Sequence, residues 1–240
     1  MYKMPSREQN SNKGTFGKVL NFCGSENYIG AAYLSTISSL KVGAGFSALA
    51  STQQVINIVA GLLPEAVYYT REQGLEKIDE FSVILVGCGL GLKEESKKLL
   101  EDVVTKTKPN IPIVIDADGL NILSGGFSSN ILQHNNLILT PHPLEAARLL
   151  GVGIKYVLAN LEDSAMAISR KYKCITVLKT HRTVICDKNL NIHINQHGNS
   201  ALAKAGSGDV LAGIIAGLLA QGVNQGVNQG VNLGVKKIEV

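Results

Sequence analysis

Ala205-Gly206-Ser207-Gly208-Asp209 runs directly into VLAGIIAGLLAQG, which places a side-chain-poor turn and one carboxylate at the head of an apolar helix. The two glycines let a ligand approach the main chain, and the first-turn amides with the positive helix end attract phosphate or a developing oxyanion. A carboxylate beside such a hole can take the proton from an alcohol attacking phosphorus. Aspartate is also a common helix cap, so Asp209 alone supports either role.

Other segments carry weaker signals. Gly87-Cys88-Gly89-Leu90-Gly91 is no dinucleotide fingerprint, because Leu92 stands where the third glycine belongs, and Glu94 does so if the count starts at Gly89. It reads as a loop closely approached by a ligand or by neighbouring backbone. Gly17-Lys18 is followed by Val19, which excludes a phosphate loop of the GK[ST] kind. Asp116, Asp118 and Asn121 share one turn and could bind ribose hydroxyls or a hydrated magnesium ion, although turn geometry alone would also select them. His142 lies between Pro141 and Pro143, which fix the backbone and could present the imidazole, though solvent-facing turn histidines are commoner. Lys179, Thr180, His181, Arg182 and Thr183 offer cationic and hydroxyl donors between two apolar runs, a composition that also suits an ordinary charged hairpin.

The segments 87–91, 116–121, 140–143 and 179–183 each follow a candidate strand. KVLNFC (18–23), FSALAS (46–51), FSVILVG (81–87), PIVIDA (112–117), NLILT (136–140), ITVLK (175–179) and TVICD (183–187) include continuous apolar runs, as strands covered on both faces require. Helical spacing of apolar residues marks 94–106, 143–151 and 159–172, and a small-residue stretch suits a helix over 30–42. Such alternation predicts an α/β sandwich with helices on both faces of a central, mainly parallel sheet and no lid domain. Ligands collect at the carboxyl ends of the strands in such sheets, where the polar segments lie.

Composition bounds the rest. A chain of 240 residues buries roughly 70–75% of the surface its unfolded form exposes, so one core suffices without disulfides or metal. The formal charge of +4 comes from scattered basic residues without interleaved aromatics, which argues against a nucleic-acid groove. Cys23, Cys88, Cys174 and Cys186 lack zinc or redox spacing and read as buried free thiols. The polar start MYKMPSREQNSNKG lacks the apolar core of a signal peptide, and no window reaches the roughly 18–20 apolar residues of a membrane span, so a cytoplasmic protein is expected. Residues 223–240 carry a QGVN repeat whose in-phase glycines weaken a helix by about 4 kcal/mol relative to alanine, and a loosely helical or poorly ordered tail is expected there.

In this order along the chain, Gly14–Val19, Gly30-Ala31-Ala32, Gly43-Ala44-Gly45, Pro64-Glu65, the 87–91 glycines, Asp116–Asn121, Pro141-His142-Pro143-Leu144-Glu145, Lys179–Thr183 and Ala205–Asp209 resemble the NAD(P)H-hydrate dehydratase family of the ribokinase-like superfamily. The resemblance implies a three-layer ribokinase-like domain over 14–222, between a polar segment 1–13 and the low-complexity tail 223–240. The short start places the expectation with members lacking an epimerase domain.

It further implies that Ala31, Gly89, His142 and Asp209 face hydrated NADH or NADPH, that Lys179–Thr183 and Gly206, Ser207 and Gly208 contact ADP, and that Asp209 is the base. Magnesium would shield charge without direct protein ligands. Phosphoryl transfer from ADP to the ring hydroxyl and loss of phosphate would return NADH or NADPH, with AMP as the other product. A homo-oligomer is expected. A ribokinase-like kinase of a small alcohol, such as a vitamin precursor, and a nucleotide-binding module without turnover remain as alternatives.

Overall fold

A computed structural model describes residues 9–126 and 134–222, which build one nine-stranded sheet with helices on both faces. The strands are β1 (Lys18–Phe22), β2 (Phe46–Ser51), β3 (Val67–Thr70), β4 (Val83–Val86), β5 (Ile113–Ile115), β6 (Leu137–Leu139), β7 (Ile175–Leu178), β8 (Val184–Cys186) and β9 (Ile192–Ile194). Their spatial order is β3-β2-β1-β4-β5-β6-β7-β8-β9. Every pairing from β3 to β7 is parallel, and β8 and β9 extend the sheet as antiparallel strands. The expected tail at 223–240 and the first eight residues lie outside the described residues.

The helices are α1 (Ile29–Lys41), α2 (Gln53–Ala60), α3 (Arg71–Glu76), α4 (Glu94–Lys106), α5 (Asp118–Ser124), α6 (Pro143–Leu150), α7 (Ile154–Ala159), α8 (Leu161–Tyr172) and α9 (Ser207–Ala220). The period-two geometry of a strand divides the apolar residues between two cores. Leu20, Phe22, Ile84, Val86, Ile113 and Ile115 pack with α4, α5, α6 and α8, while Val19, Leu49, Val83, Leu85 and Val114 pack with α1, α2 and α9. Continuous apolar runs are therefore required in the central strands.

Two glycines bring α9 onto α1. A side-chain carbon at Gly213 would lie 2.2 Å from the Ser35 carbonyl oxygen, and one at Gly217 would lie 2.6 Å from that of Ser39. The close approach fixes the start of α9, and hence the Gly206–Asp209 turn, against the sheet. All seven expected strands form. The sequence reading missed β3 and β9, the two edges, and treated 116–121 as a turn, whereas α5 begins at Asp118.

Candidate active site

The strand order reverses at β1 and β4: α1 leaves β1 toward one face and α4 leaves β4 toward the other, opening a crevice between the loops that follow them. These loops are laced together. Gly24 N–H donates to the Cys88 carbonyl at 2.8 Å, and Ser25 Oγ donates to the Gly89 carbonyl at 2.8 Å. Gly89 has φ +61°, and a side-chain carbon there would meet Cβ of Tyr28 at 2.5 Å and of Ala31 at 2.8 Å. Ala31 and Gly89 thus form one wall of the crevice. Asp118 secures its floor by accepting Gly91 N–H at 2.8 Å.

At the centre stands a buried charge cluster. Asp116 is 1% exposed; its Oδ1 accepts Thr140 Oγ1 at 2.7 Å and Lys179 Nζ at 2.6 Å, and its Oδ2 faces Cys88 Sγ at 3.7 Å. Ligand atoms of Cys88, Asp116 and Asp209 all lie within 4.8 Å of one another. Burial opposes the charge on Lys179, but Asp116 and then Glu145 restore it and hold its pKa above the ordinary value. The 2.6 Å pair with Asp116 dominates over Glu145 at 4.0 Å. Contact with Cys23, followed by burial, pushes the Cys88 thiol well up, so it remains protonated. Burial raises Asp209, the nearby charge of Asp116 adds to this, and Cys88 and Lys179 oppose it. A carboxylate with raised proton affinity is the form a general base needs.

The Gly-rich turn adjoins this cluster. Gly206 adopts the left-handed conformation, with φ 85°, and is the N-cap of α9 without any side-chain capping bond. The first following helical bond runs from Val210 N–H to the Gly206 carbonyl, leaving the amides of Gly208 and Asp209 ahead of it. Ser207 Oγ is buried with no hydrogen-bond partner. A side-chain carbon at Gly208 would point at Lys179 Nζ, 3.6 Å away, and at Asp116 Oδ2, 3.8 Å away. Asp209 is the third residue of the helix, so it is not the N-cap.

His142 caps α6. Its Nδ1 accepts the amides of Leu144 at 3.2 Å and Glu145 at 3.4 Å, and Glu145 Oε2 accepts His142 N–H at 2.8 Å. With Nδ1 an acceptor, the neutral ring carries its proton on Nε2, 3.3 Å from Glu145 Oε1. Burial lowers its pKa, so His142 presents a neutral N–H edge. Burial raises Glu145 to about 7, against Lys179 and the His142 amide. The folded state therefore holds this proton to higher pH than the unfolded chain, and its stabilising effect is lost as pH rises from about 4.5 to about 7. Relative to wild type, Glu145→Gln should gain stability across that window, by up to roughly 3 kcal/mol. Urea melts at a series of pH values check this, and parallel curves for the two proteins would refute it.

The remaining expected residues separate. Asn121 Oδ1 accepts Arg148 Nη1 at 2.6 Å and ties α5 to α6, while Asp118 is engaged by Gly91 N–H and Asp116 by Thr140 and Lys179. Thr180 Oγ1 donates to the Arg182 carbonyl at 2.8 Å and Thr183 Oγ1 to that of Thr180 at 3.1 Å, closing the β7–β8 turn. His181 and Arg182 line a groove of about 520 Å³ with Leu158, Leu161, Val184 and Ile194. Cys88, Thr140 and Glu145 had no assigned role in the sequence reading. Their position after β4 and β6 was a signal, but their convergence depends on strand order.

The sheet and its Gly-rich turn define a ribokinase-like α/β protein, and the solved structures agree. A Streptococcus mutans structure described as a hypothetical protein superposes with a TM-score of 0.82 at 30% identity, covering 91% of this chain and 79% of that one. The Bacillus subtilis ADP/ATP-dependent NAD(P)H-hydrate dehydratase, co-crystallised with ATP and Mg2+, gives 0.78 at 30% identity over 90% and 77% of the two chains. A model of the NAD(P)H-hydrate dehydratase family matches residues 19–231, and the chain belongs to that family.

Among relatives, the ADP-dependent (S)-NAD(P)H-hydrate dehydratase of Neisseria meningitidis is 39% identical over 87% of this chain and 71% of its own. The bifunctional NAD(P)H-hydrate repair enzyme of Thermofilum pendens is 36% identical over 88% of this chain, which spans only 42% of that relative's length. Among the described residues, no helix is long and apolar enough to cross a membrane.

Proposed function

We propose that the chain dehydrates (6S)-hydrated NADH and NADPH in an ADP-dependent reaction, the activity in the name of its N. meningitidis relative. The observation that carries the reading is the pairing of a proton-hungry carboxylate, Asp209, with a turn in which the open side of Gly208 faces Lys179 and the buried Ser207 hydroxyl has no partner. The orphaned hydroxyl and the bare face of Gly208 fit a phosphate group. Lys179 would neutralise it, and the groove beside His181 and Arg182, whose lining mixes Leu158, Leu161 and Ile194 with Asn160, Glu162 and Asp163, would take the adenosine end.

Asp209 would accept the proton of the ring C6 hydroxyl as that oxygen attacks the β-phosphorus and the bond to AMP breaks. Phosphate is a far better leaving group than hydroxide. Its departure from C6, with loss of a proton from C5, restores the dihydronicotinamide double bond. Ala31, Gly89 and the N–H edge of His142 would position the ring. Magnesium fits as a companion of the nucleotide phosphates, supplying charge neutralisation, because Asp116, Asp118 and Glu145 are already engaged by protein donors.

The test is recovery of near-ultraviolet absorbance from hydrated NADH with magnesium and ADP, ATP or no nucleotide. Recovery with ADP and none without nucleotide is expected. ADP binding without recovery would leave a binding module, and a stable phosphoester made from a small alcohol would leave a kinase.

A further inference from the structure

Asp116 makes its close contacts with side chains of this chain. It is buried at the end of β5, with Thr140 and Lys179 on one oxygen and Cys88 against the other. Asp116 and Lys179 both lie within 4 Å of the position a Gly208 side chain would occupy. We infer that Asp116 is a positioning residue that couples nucleotide binding to the base: it holds Lys179 beside the turn until phosphate takes a share of the ammonium, and the less compensated carboxylate then favours proton transfer to Asp209. The inference rests on phosphoryl transfer at this turn.

The physical basis is competition for one cation. The Lys179 ammonium has three N–H donors, with one directed at Asp116 and Glu145 only at 4.0 Å, so phosphate oxygens over Gly208 can engage it without a large movement. Each increment of charge it gives to phosphate is withdrawn from Asp116. Asp116 is buried and cannot recover that loss from water, and its repulsion acts on Asp209, whose ligand atom is within 4.8 Å. The charged and titratable groups around Asp209 are Cys88 after β4, Asp116 after β5, Asp118 at the start of α5 and Lys179 after β7. Cys88 stays protonated, and Asp118 is held by Gly91 N–H, which leaves the Asp116–Lys179 pair as the adjustable element. The base would thus become strong when the phosphoryl donor is in place. The proton moves from the C6 hydroxyl to the Asp209 carboxylate, with no redox change.

The experiment follows the Asp209 carboxyl carbon by NMR titration in the full chain, with and without ADP and magnesium, in wild type, Asp116→Asn and Lys179→Gln. In wild type, ADP should raise the Asp209 midpoint by about one pH unit, the size of effect one charge produces at this range. Lys179→Gln retains only the direct effect of phosphate, and Asp116→Asn removes the responding charge, so both should show less than half the wild-type shift. Without nucleotide, Lys179→Gln should titrate higher than wild type. The acid limb of the kcat profile should move to lower pH in Asp116→Asn, which mere loss of packing would not produce.

Equal ADP-linked shifts in the three proteins would overturn the inference. If Asp116→Asn does not fold, Lys179→Gln and the double variant decide it by the same comparison. Absence of turnover in wild type would defeat the proposed reaction, while the titrations would still report on the coupling.

Discussion

Asp209→Asn is expected to lower turnover of hydrated NADH by roughly 10²–10⁴-fold, the span for a lost general base, while ADP still binds, by up to about tenfold more tightly because the neutral side chain no longer repels phosphate, and thermal stability stays close to wild type. That loss corresponds to about 3–5 kcal/mol of transition-state stabilisation. Asparagine keeps the size and polarity of aspartate and removes only the ionisable group. Stability should be little affected, because Gly206 is the cap of α9 and the Asp209 carboxylate is held against burial and the charge of Asp116. Calorimetry with ADP, a melting curve and the absorbance-recovery assay together give the answer. Rates within a few-fold of wild type would leave Asp209 as a partner of the helix dipole and require another base.

Gly208→Val should weaken ADP binding by roughly 100-fold. The added carbons would point into the space between the turn, Lys179 and Asp116, where the proposed phosphate lies. Overpacking typically costs about 1–3 kcal/mol, and its upper end corresponds to that factor in affinity. Gly208→Ala separates this from misfolding. Its added carbon is in ordinary contact at 3.6 Å, and alanine favours helix over glycine by up to about 1 kcal/mol, so this variant should melt no lower than wild type while binding ADP less well. Undiminished ADP affinity in Gly208→Val would remove the turn from the nucleotide site.

The central strands were legible because burial on both faces leaves an unbroken apolar run, as in VILV of β4. The edges were not: VYYT of β3 is only half buried and IHI of β9 has three residues, too short for a periodic signal. Asp-Ala-Asp-Gly suggested a turn through its composition, and Ala117 indeed has φ 49°, yet the next residue begins α5. The Gly206–Asp209 turn could be read because its glycines and carboxylate are contiguous. Cys88 could not. Its apolar surroundings marked a buried thiol, correctly, but its approach to Asp116 and Asp209 joins positions 28 and 121 residues away that only the sheet order brings together.

The docking of α9 on α1 also sets a timetable. Gln221 at the foot of α9 donates to the Val42 carbonyl at 3.1 Å across 179 residues, a long-range closure of the kind that slows folding. During synthesis the strands bearing Asp116 and Lys179 emerge well before the helix bearing Gly208 and Asp209. A nascent chain therefore has the counter-charges before it has the turn that would make them useful. Nucleotide can favour only the finished fold by mass action, and an arrested or C-terminally truncated chain would gain no protection from it.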